Sequence, residues 1–339
     1  MIKNIFITGG TGSFGKSFIK YYIKNNQFNK LVVFSRDELK QFELMNELSK
    51  FNPKKFKNIR FLLGDIRDKD RLSFALNQNI DLVVHAAALK HVTLAEYNPF
   101  EFVKTNVIGS QNIIEESIKN NVAKVIALST DKASSPINLY GATKLTADKM
   151  FIAANNLKGN KNTIFSVVRY GNVLGSRGSV LPIFLNSKSN NFNITHEDMT
   201  RFIITLKEGV EFVNQSIRLM KGGEIFIPKL PSVKLLDIAN AVNKDAKHNF
   251  IGIRQGEKLH EEMISNEESI NCIEFKNFYI LLSGSGSYGV GVNEYIKKYK
   301  IKNYKLIKDN FIYSSNLNSK FLTVKQISKL IEEFKKINE

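Results

Sequence analysis

Only one cysteine, Cys272, occurs among the 339 residues, and tryptophan is absent. A lone thiol excludes an intramolecular disulfide and fits a reducing compartment, where its ordinary role is that of a small buried side chain. Without tryptophan, and without a dense basic run, the chain lacks a platform for stacking on bases and tracking a phosphate backbone. The five histidines, His85, His91, His196, His248 and His260, show no metal-binding spacing with one another or with Cys272. No apolar run reaches bilayer length, and the start of the chain passes into glycines without the apolar core or cleavage site of a signal peptide. The expectation is a cytoplasmic chain with no nucleic-acid and no membrane partner.

What is abundant is positive charge. Forty-nine Lys and Arg against 32 Asp and Glu leave a formal net charge of +17. The lysines are scattered and interleaved with Asn and Ile, so the excess reads as compositional bias, with a favourable field around a phosphorylated substrate as a secondary effect. An apolar content of 43% suits a globular core, and the length suggests two domains or one large domain with a substrate-binding elaboration.

Six short β-branched runs, at 3–8, 31–35, 59–63, 81–85, 124–129 and 163–169, alternate with stretches of helical length. That alternation predicts an α/β fold, a doubly wound parallel sheet of Rossmann type, over residues 1–173. After Val173 the pattern breaks into loops and shorter elements, so residues 174–339 are expected to form mainly a smaller substrate-binding region, with later segments free to return to the sheet. A closing helix is predicted over 324–337, with Thr323 and Gln326 as its capping box.

Thr8 to Gly15 reads TGGTGSFG at the first strand-helix junction. Glycines there let the backbone turn tightly and approach a pyrophosphate on the helix N-terminus, which makes Gly9, Thr11, Gly12, Ser13, Phe14 and Gly15 a dinucleotide cradle. Gly284 to Gly289 matches a similar pattern but lacks a following helix, and is expected to be a flexible loop. At the end of the second strand, Arg36 after Ser35 favours the 2′-phosphate of NADP over the ribose of NAD, with Lys40 as a second cation. Ser35 and Glu38 have capping-box spacing, which would put Asp37 in the first helical turn. Asp65 and Ile66 are placed to meet the adenine. Ala86 and Ala87 let the cofactor lie close to the chain, and His85 is expected to be a packed, hydrogen-bonded histidine.

Tyr140 and Lys144, four residues apart, share one helical face. A nearby ammonium lowers a phenol's pKa, so Tyr140 can take a proton from a sugar hydroxyl, and both residues would also touch the cofactor. Just upstream stand Thr130, Asp131 and Lys132. With Ser35 to Lys40, His85 to His91, Leu128 to Lys144, Arg169 to Ser179, Gly256 to Glu261 and Tyr313 to Ser315, these segments resemble the extended short-chain dehydrogenase/reductases. Within that superfamily the chain is similar to the inverting UDP-N-acetylglucosamine 4,6-dehydratases.

The resemblance implies a sequence of roles. Tyr140 deprotonates the sugar 4-hydroxyl, with Thr130 hydrogen-bonded to it, and hydride leaves for NADP. Lys132, its pKa lowered by Lys144 and burial, removes the C5 proton. Asp131, its own pKa raised by burial, protonates the departing 6-hydroxyl. It further implies that Lys90, Asn172, Arg177, Thr200, Arg254 and Glu257 contact UDP-N-acetylglucosamine, with Lys90 also near the cofactor, that the chain self-associates, and that its product leads toward pseudaminic acid and flagellin glycosylation. Gln255 stands where the family usually has proline, which would loosen that loop. Two other readings remain at this point: a UDP-sugar 4-epimerase, which has no use for Asp131 and Lys132, and a non-catalytic NADP-sensing or nucleic-acid-binding protein.

Overall fold

Short runs of Val, Ile, Leu and Phe form strands here because helices cover both faces of the sheet they join. The computed structural model describes residues 2–25, 27–176, 178–187, 191–284, 289–308 and 310–338. The strands β1 (Asn4–Thr8), β2 (Lys30–Ser35), β3 (Ile59–Leu63), β4 (Leu82–His85), β5 (Lys124–Thr130) and β6 (Ile164–Tyr170) lie parallel in the order β3-β2-β1-β4-β5-β6. Strand order reverses between β1 and β4, so connections leave in opposite directions and open a crevice at the carboxyl ends of the strands.

The covering helices include α1 (Ser13–Asn25), α2 (Glu38–Phe51), α3 (Lys69–Leu76), α4 (Gly109–Lys119) and α5 (Leu139–Leu157). In α1, Phe18, Ile19, Tyr22 and Ile23 form the buried stripe that docks it on the sheet. One expected cap is corrected. Ser35 ends β2 and its hydroxyl meets Thr11 Oγ1 at 3.0 Å, while Asp37 is the N-cap of α2, accepting from the Lys40 amide at 3.0 Å. The serine is still committed to the strand, and the carboxylate two residues on is the group that reaches the orphan amide.

The chain beyond Val173 returns to this sheet. The strand β7 (Ile225–Pro228) adds parallel to β6, and β8 (Cys272–Glu274), β9 (Phe278–Leu281) and β10 (Lys305–Leu306) continue antiparallel in the order β7-β9-β8-β10. The stretch Gly284 to Gly289 follows β9, and its residues 285–288 lie outside the described residues. A second, smaller layer stands over the crevice. It comprises the three-stranded sheet of Asn172–Val173, Thr200–Ile204 and Ser232–Lys234, with the helices α6 (Leu235–Val242) and α7 (Val324–Asn338). Leu181, Phe184, Ile203, Ile238, Ile327 and Ile331 make its separate core. Thr323 and Gln326 do cap α7 reciprocally, at 2.9 and 3.4 Å. Among the described residues no helix is long and apolar enough to cross a membrane.

Candidate active site

The crevice holds two cavities of different build. The first, about 330 Å³, lies over the β1–α1 junction and is lined by Gly9, Thr11, Gly12, Ser35, Arg36, Lys40, Asp65, Ile66, Ala86 and Ala87 among others. Gly9 sits at φ +65°, and a Cβ there would stand 2.8 Å from the Ala87 nitrogen; one on Gly15 would stand 2.5 Å from the Gly10 Cα. The glycines thus let the β1–α1 turn pack directly on the Ala86–Ala87 backbone and on itself, so that bare backbone at a helix N-terminus borders the cavity, and the residues present fit a nicotinamide dinucleotide. Ser13, Phe14 and Gly15 form the first turn of α1 beneath this cavity and are not among its lining.

The cations at the adenosine end are held by carboxylates. Arg36, with 52% of its side chain exposed, reaches Asp65 at 3.5 Å, Asp65 is also gripped by Arg67 at 2.7 Å, and Lys40 pairs with Asp37. Burial pushes the Asp65 carboxyl up, but the Arg67 and Arg36 charges outweigh it and keep the group ionised. His85 is the packed histidine expected of it: wholly buried, bonded through Nδ1 to Thr8 Oγ1 at 2.9 Å, and driven down to about 3 by burial and then by the Lys144 charge.

Where β5 ends, a single tight turn over Asp131–Ala133 leads to α5. Asn138 caps that helix by accepting from the Gly141 amide at 2.7 Å, and its amide donates to the Gly256 carbonyl at 2.8 Å. Tyr140 therefore enters the crevice from the first turn of a helix that is tied to the 254–257 loop. Its phenol lies near enough to the Thr130 hydroxyl for that group to favour the phenolate, and Thr130 Oγ1 donates to Asp131 Oδ1 at 2.9 Å.

Two electrostatic expectations are corrected. Burial pushes the Tyr140 phenol up to about 12, and the charge that opposes it is Lys132, not Lys144. The Lys144 ammonium, one turn on, instead donates to the Leu128 carbonyl at 2.7 Å; burial lowers its pKa and Asp148 opposes the drop. Lys132 was expected to be depressed and is not. Burial does act in that direction, but Asp131 Oδ1 at 3.1 Å and Glu261 Oε1 at 2.9 Å outweigh it, so the ammonium titrates above an ordinary lysine. Asp131 behaves as expected: fully buried, it is raised by desolvation against the pull of Lys132.

The second cavity, about 570 Å³, lies beside this cluster, with Lys132, Asn172, Arg201, Arg254, Glu257 and Glu261 supplying its polar wall. Leu181, Phe184, Ile203, Leu235 and Ile238 supply an apolar one. A cavity with one charged wall and one apolar wall suits a ligand carrying both a diphosphate and a flat base. Of the substrate contacts expected from the sequence, Asn172, Arg254 and Glu257 are on this wall. Thr200 stands behind it, buried, its hydroxyl bonded to His260 Nδ1 at 2.9 Å and Ser315 Oγ at 2.7 Å. Lys90 is near enough to Lys132 for that charge, after burial, to lower its pKa. Arg177 lies outside the described residues.

Sequence reasoning missed the residues that hold the cluster in place. Glu261 and Arg201 were the largest omissions: Arg201 lies 3.7 Å from Glu261 and donates to the Thr200, Leu259 and Lys258 carbonyls. Glu261 ends the quoted Gly256 to Glu261 stretch, which was the one available signal. Beneath the site, Ser129 donates to Asp148 at 2.7 Å, and the wholly buried Arg169 lies 3.7 Å from Asp148 and bonds Glu268 at 2.9 Å. Asn106 pins the Leu89 backbone in both directions at 2.9 Å and donates to Thr143 on α5 at 3.0 Å.

Residues 5–283 match the family described as polysaccharide biosynthesis protein. The chain is 50% identical over 332 residues to a protein of Campylobacter jejuni named UDP-N-acetylglucosamine 4,6-dehydratase (inverting), with 97% of each chain covered. It is 40% identical over 286 residues to a Rickettsia bellii protein named UDP-glucose 4-epimerase, with 82% of each covered. Among solved structures, Pen from Bacillus thuringiensis superposes with a TM-score of 0.87 at 38% identity, covering 98% of both chains.

Proposed function

The chain belongs to the polysaccharide biosynthesis protein family, and on that footing we propose that it is an NADP-dependent 4,6-dehydratase that inverts C5 of UDP-N-acetylglucosamine. The product would be UDP-2-acetamido-2,6-dideoxy-β-L-arabino-hex-4-ulose, a first intermediate toward pseudaminic acid. The observation that carries this reading is the Asp131–Lys132 pair, whose lysine lies on the wall of the second cavity and whose charges act on Tyr140. Oxidising and reducing C4 alone requires one proton acceptor. Removing the C5 proton and expelling the 6-hydroxyl requires a further base and a further acid.

When bound, the dinucleotide supplies the acceptor for the C4 hydride and later the donor to C6. This chain's residues manage the protons. Tyr140 takes the proton of the 4-hydroxyl, with Thr130 and the Lys132 charge as the groups that favour its phenolate. The ketone left at C4 acidifies the C5 proton, which goes to Lys132. Asp131 in its acid form gives a proton to the 6-hydroxyl, which leaves as water. A proton is then delivered to C5 on the face opposite the one that lost it, which inverts that centre. Arg36 and Lys40 would hold the 2′-phosphate of NADP, and Arg201 and Arg254 the substrate diphosphate.

The similarity to a protein named a 4-epimerase favours a second reading, and one experiment separates the two. Purified protein is incubated with UDP-N-acetylglucosamine in deuterated water and the sugar is followed by NMR. A 4-keto product lacking the C6 hydroxyl, with deuterium at an inverted C5, is expected. Interconversion with the C4 epimer, with C6 intact, overturns the dehydratase reading.

A further inference from the structure

An ammonium has three N–H donors, and the Lys132 nitrogen has three protein acceptors within reach: Glu261 Oε1 at 2.9 Å, Asp131 Oδ1 at 3.1 Å and Asn172 Oδ1 at 3.4 Å. A nitrogen held in this way has no lone pair to offer a C–H bond. It becomes a base only by giving a proton away. The two carboxylates beside it are not equivalent as recipients. Asp131, fully buried, is raised, whereas Glu261 is held low because Lys132 and Arg201 together outweigh its burial. One proton passed from Lys132 to Asp131 therefore yields a neutral amine and a carboxylic acid, the base and the acid that dehydration needs. Glu261 stays ionised throughout.

We propose that Glu261 is the positioning residue of the C5 proton transfer: its carboxylate fixes the Lys132 nitrogen and neutralises the positive charge that grows there as the proton arrives. The inference rests on the dehydratase reading. In the step itself the C5–H bond breaks, its electron pair passes into the enolate of the 4-ketone, and the proton forms an N–H bond on Lys132. The ammonium so formed faces Glu261 and the Asp131 carboxylate left by protonation of the 6-hydroxyl. A fixed opposite charge aimed at the atom where charge develops is the arrangement that lowers such a barrier most.

The geometry shows that Glu261 is set in advance. Its backbone N–H donates to Ser315 Oγ at 2.9 Å and its carbonyl accepts from the Ser315 N–H at 2.8 Å, so the residue is pinned at both ends of its peptide unit. Its second oxygen, Oε2, is buried and without a hydrogen-bond partner among the described residues. The other charged and titratable groups that face Lys132 are Asp131 from its own turn, Arg201 from the Thr200–Ile204 strand, Lys90 after β4 and Tyr140 on α5. Arg201 and Lys90 repel an ammonium at this position. Glu261 is the carboxylate from outside the Asp131–Ala133 turn that offsets them.

The test reads C5 exchange against pH. Glu261→Gln removes a negative charge from beside the ammonium, so the ammonium pKa falls and the neutral amine persists to lower pH. The acidic limb of C5 deuterium incorporation is expected to move down by roughly one to three pH units. At the optimum, incorporation relative to nicotinamide reduction is expected to fall about 10²-fold. Glu261→Asp keeps the charge and should leave the limb in place with an intermediate rate. A limb that stays put in Glu261→Gln while the variant melts earlier makes Glu261 a prop for the fold and overturns the proposal. A Glu261→Asp limb displaced as far as that of the Gln variant also overturns it, and this second variant carries the test if the first does not fold. A wild-type chain that exchanges no C5 proton and keeps its C6 hydroxyl sinks the dehydratase reading instead, a different failure.

Discussion

The two cavities of the crevice are built from different materials. The dinucleotide cavity is built on backbone and small side chains from the ends of β1, β2, β3 and β4, and it depends on missing Cβ atoms at glycines such as Gly9 and Gly64. The second cavity has an apolar wall and a polar one, the latter gathered from the turn after β5, from Asn172, from the Thr200–Ile204 strand and from the loop that ends at Glu261. One site depends on what the chain omits, the other on charges that must balance. A substitution in the first should act on binding and hardly on proton chemistry. In the second it should act on proton chemistry, or on stability where the charge is buried.

The largest expected effect is at Lys132. Lys132→Ala should slow dehydration by about 10³-fold or more, as loss of a proton-transfer residue does. Cofactor affinity, measured by fluorescence titration, should stay within about a factor of two. A large loss of cofactor affinity would mean that the two cavities are not independent.

Arg169→Met comes next. It leaves Asp148 and Glu268 facing each other without their shared cation, and breaking a buried pair costs about 3–5 kcal/mol. Denaturant unfolding should report that loss, and an unchanged midpoint would show that the carboxylates simply take up protons. The smallest effect belongs to the dinucleotide cavity. Arg36→Ala should weaken NADP by about 10- to 100-fold, the worth of a charge-assisted hydrogen bond, while NAD binding changes little. Equal weakening of both cofactors would assign Arg36 to its partner Asp65 and not to a 2′-phosphate.

The same contrast explains what the sequence disclosed. The six strands of the parallel half lie within a residue or so of the runs that mark them, because continuous apolar stretches between helices are a local signal. The glycine cradle was equally local. The Lys132 expectation fails because it weighed burial and Lys144 but not the two carboxylates, adjacent Asp131 and, from far along the chain, Glu261, that together reverse the shift. Tyr140 was misjudged in the same way, since a partner chosen by helical spacing, Lys144, turned aside to a carbonyl. Ser35 was a nearer miss, displaced as a cap by a carboxylate two residues on. Charges that balance across separate segments leave no periodicity to read.

Asn138 gives this arrangement a mechanical side. One side chain closes the first turn of the helix that carries Tyr140 and, with its other end, holds the carbonyl of Gly256 between Gln255 and Glu257. The loop that lines the second cavity and the helix that carries the phenol thus share a fastening. Replacing that one side chain would uncap the helix and release the loop together.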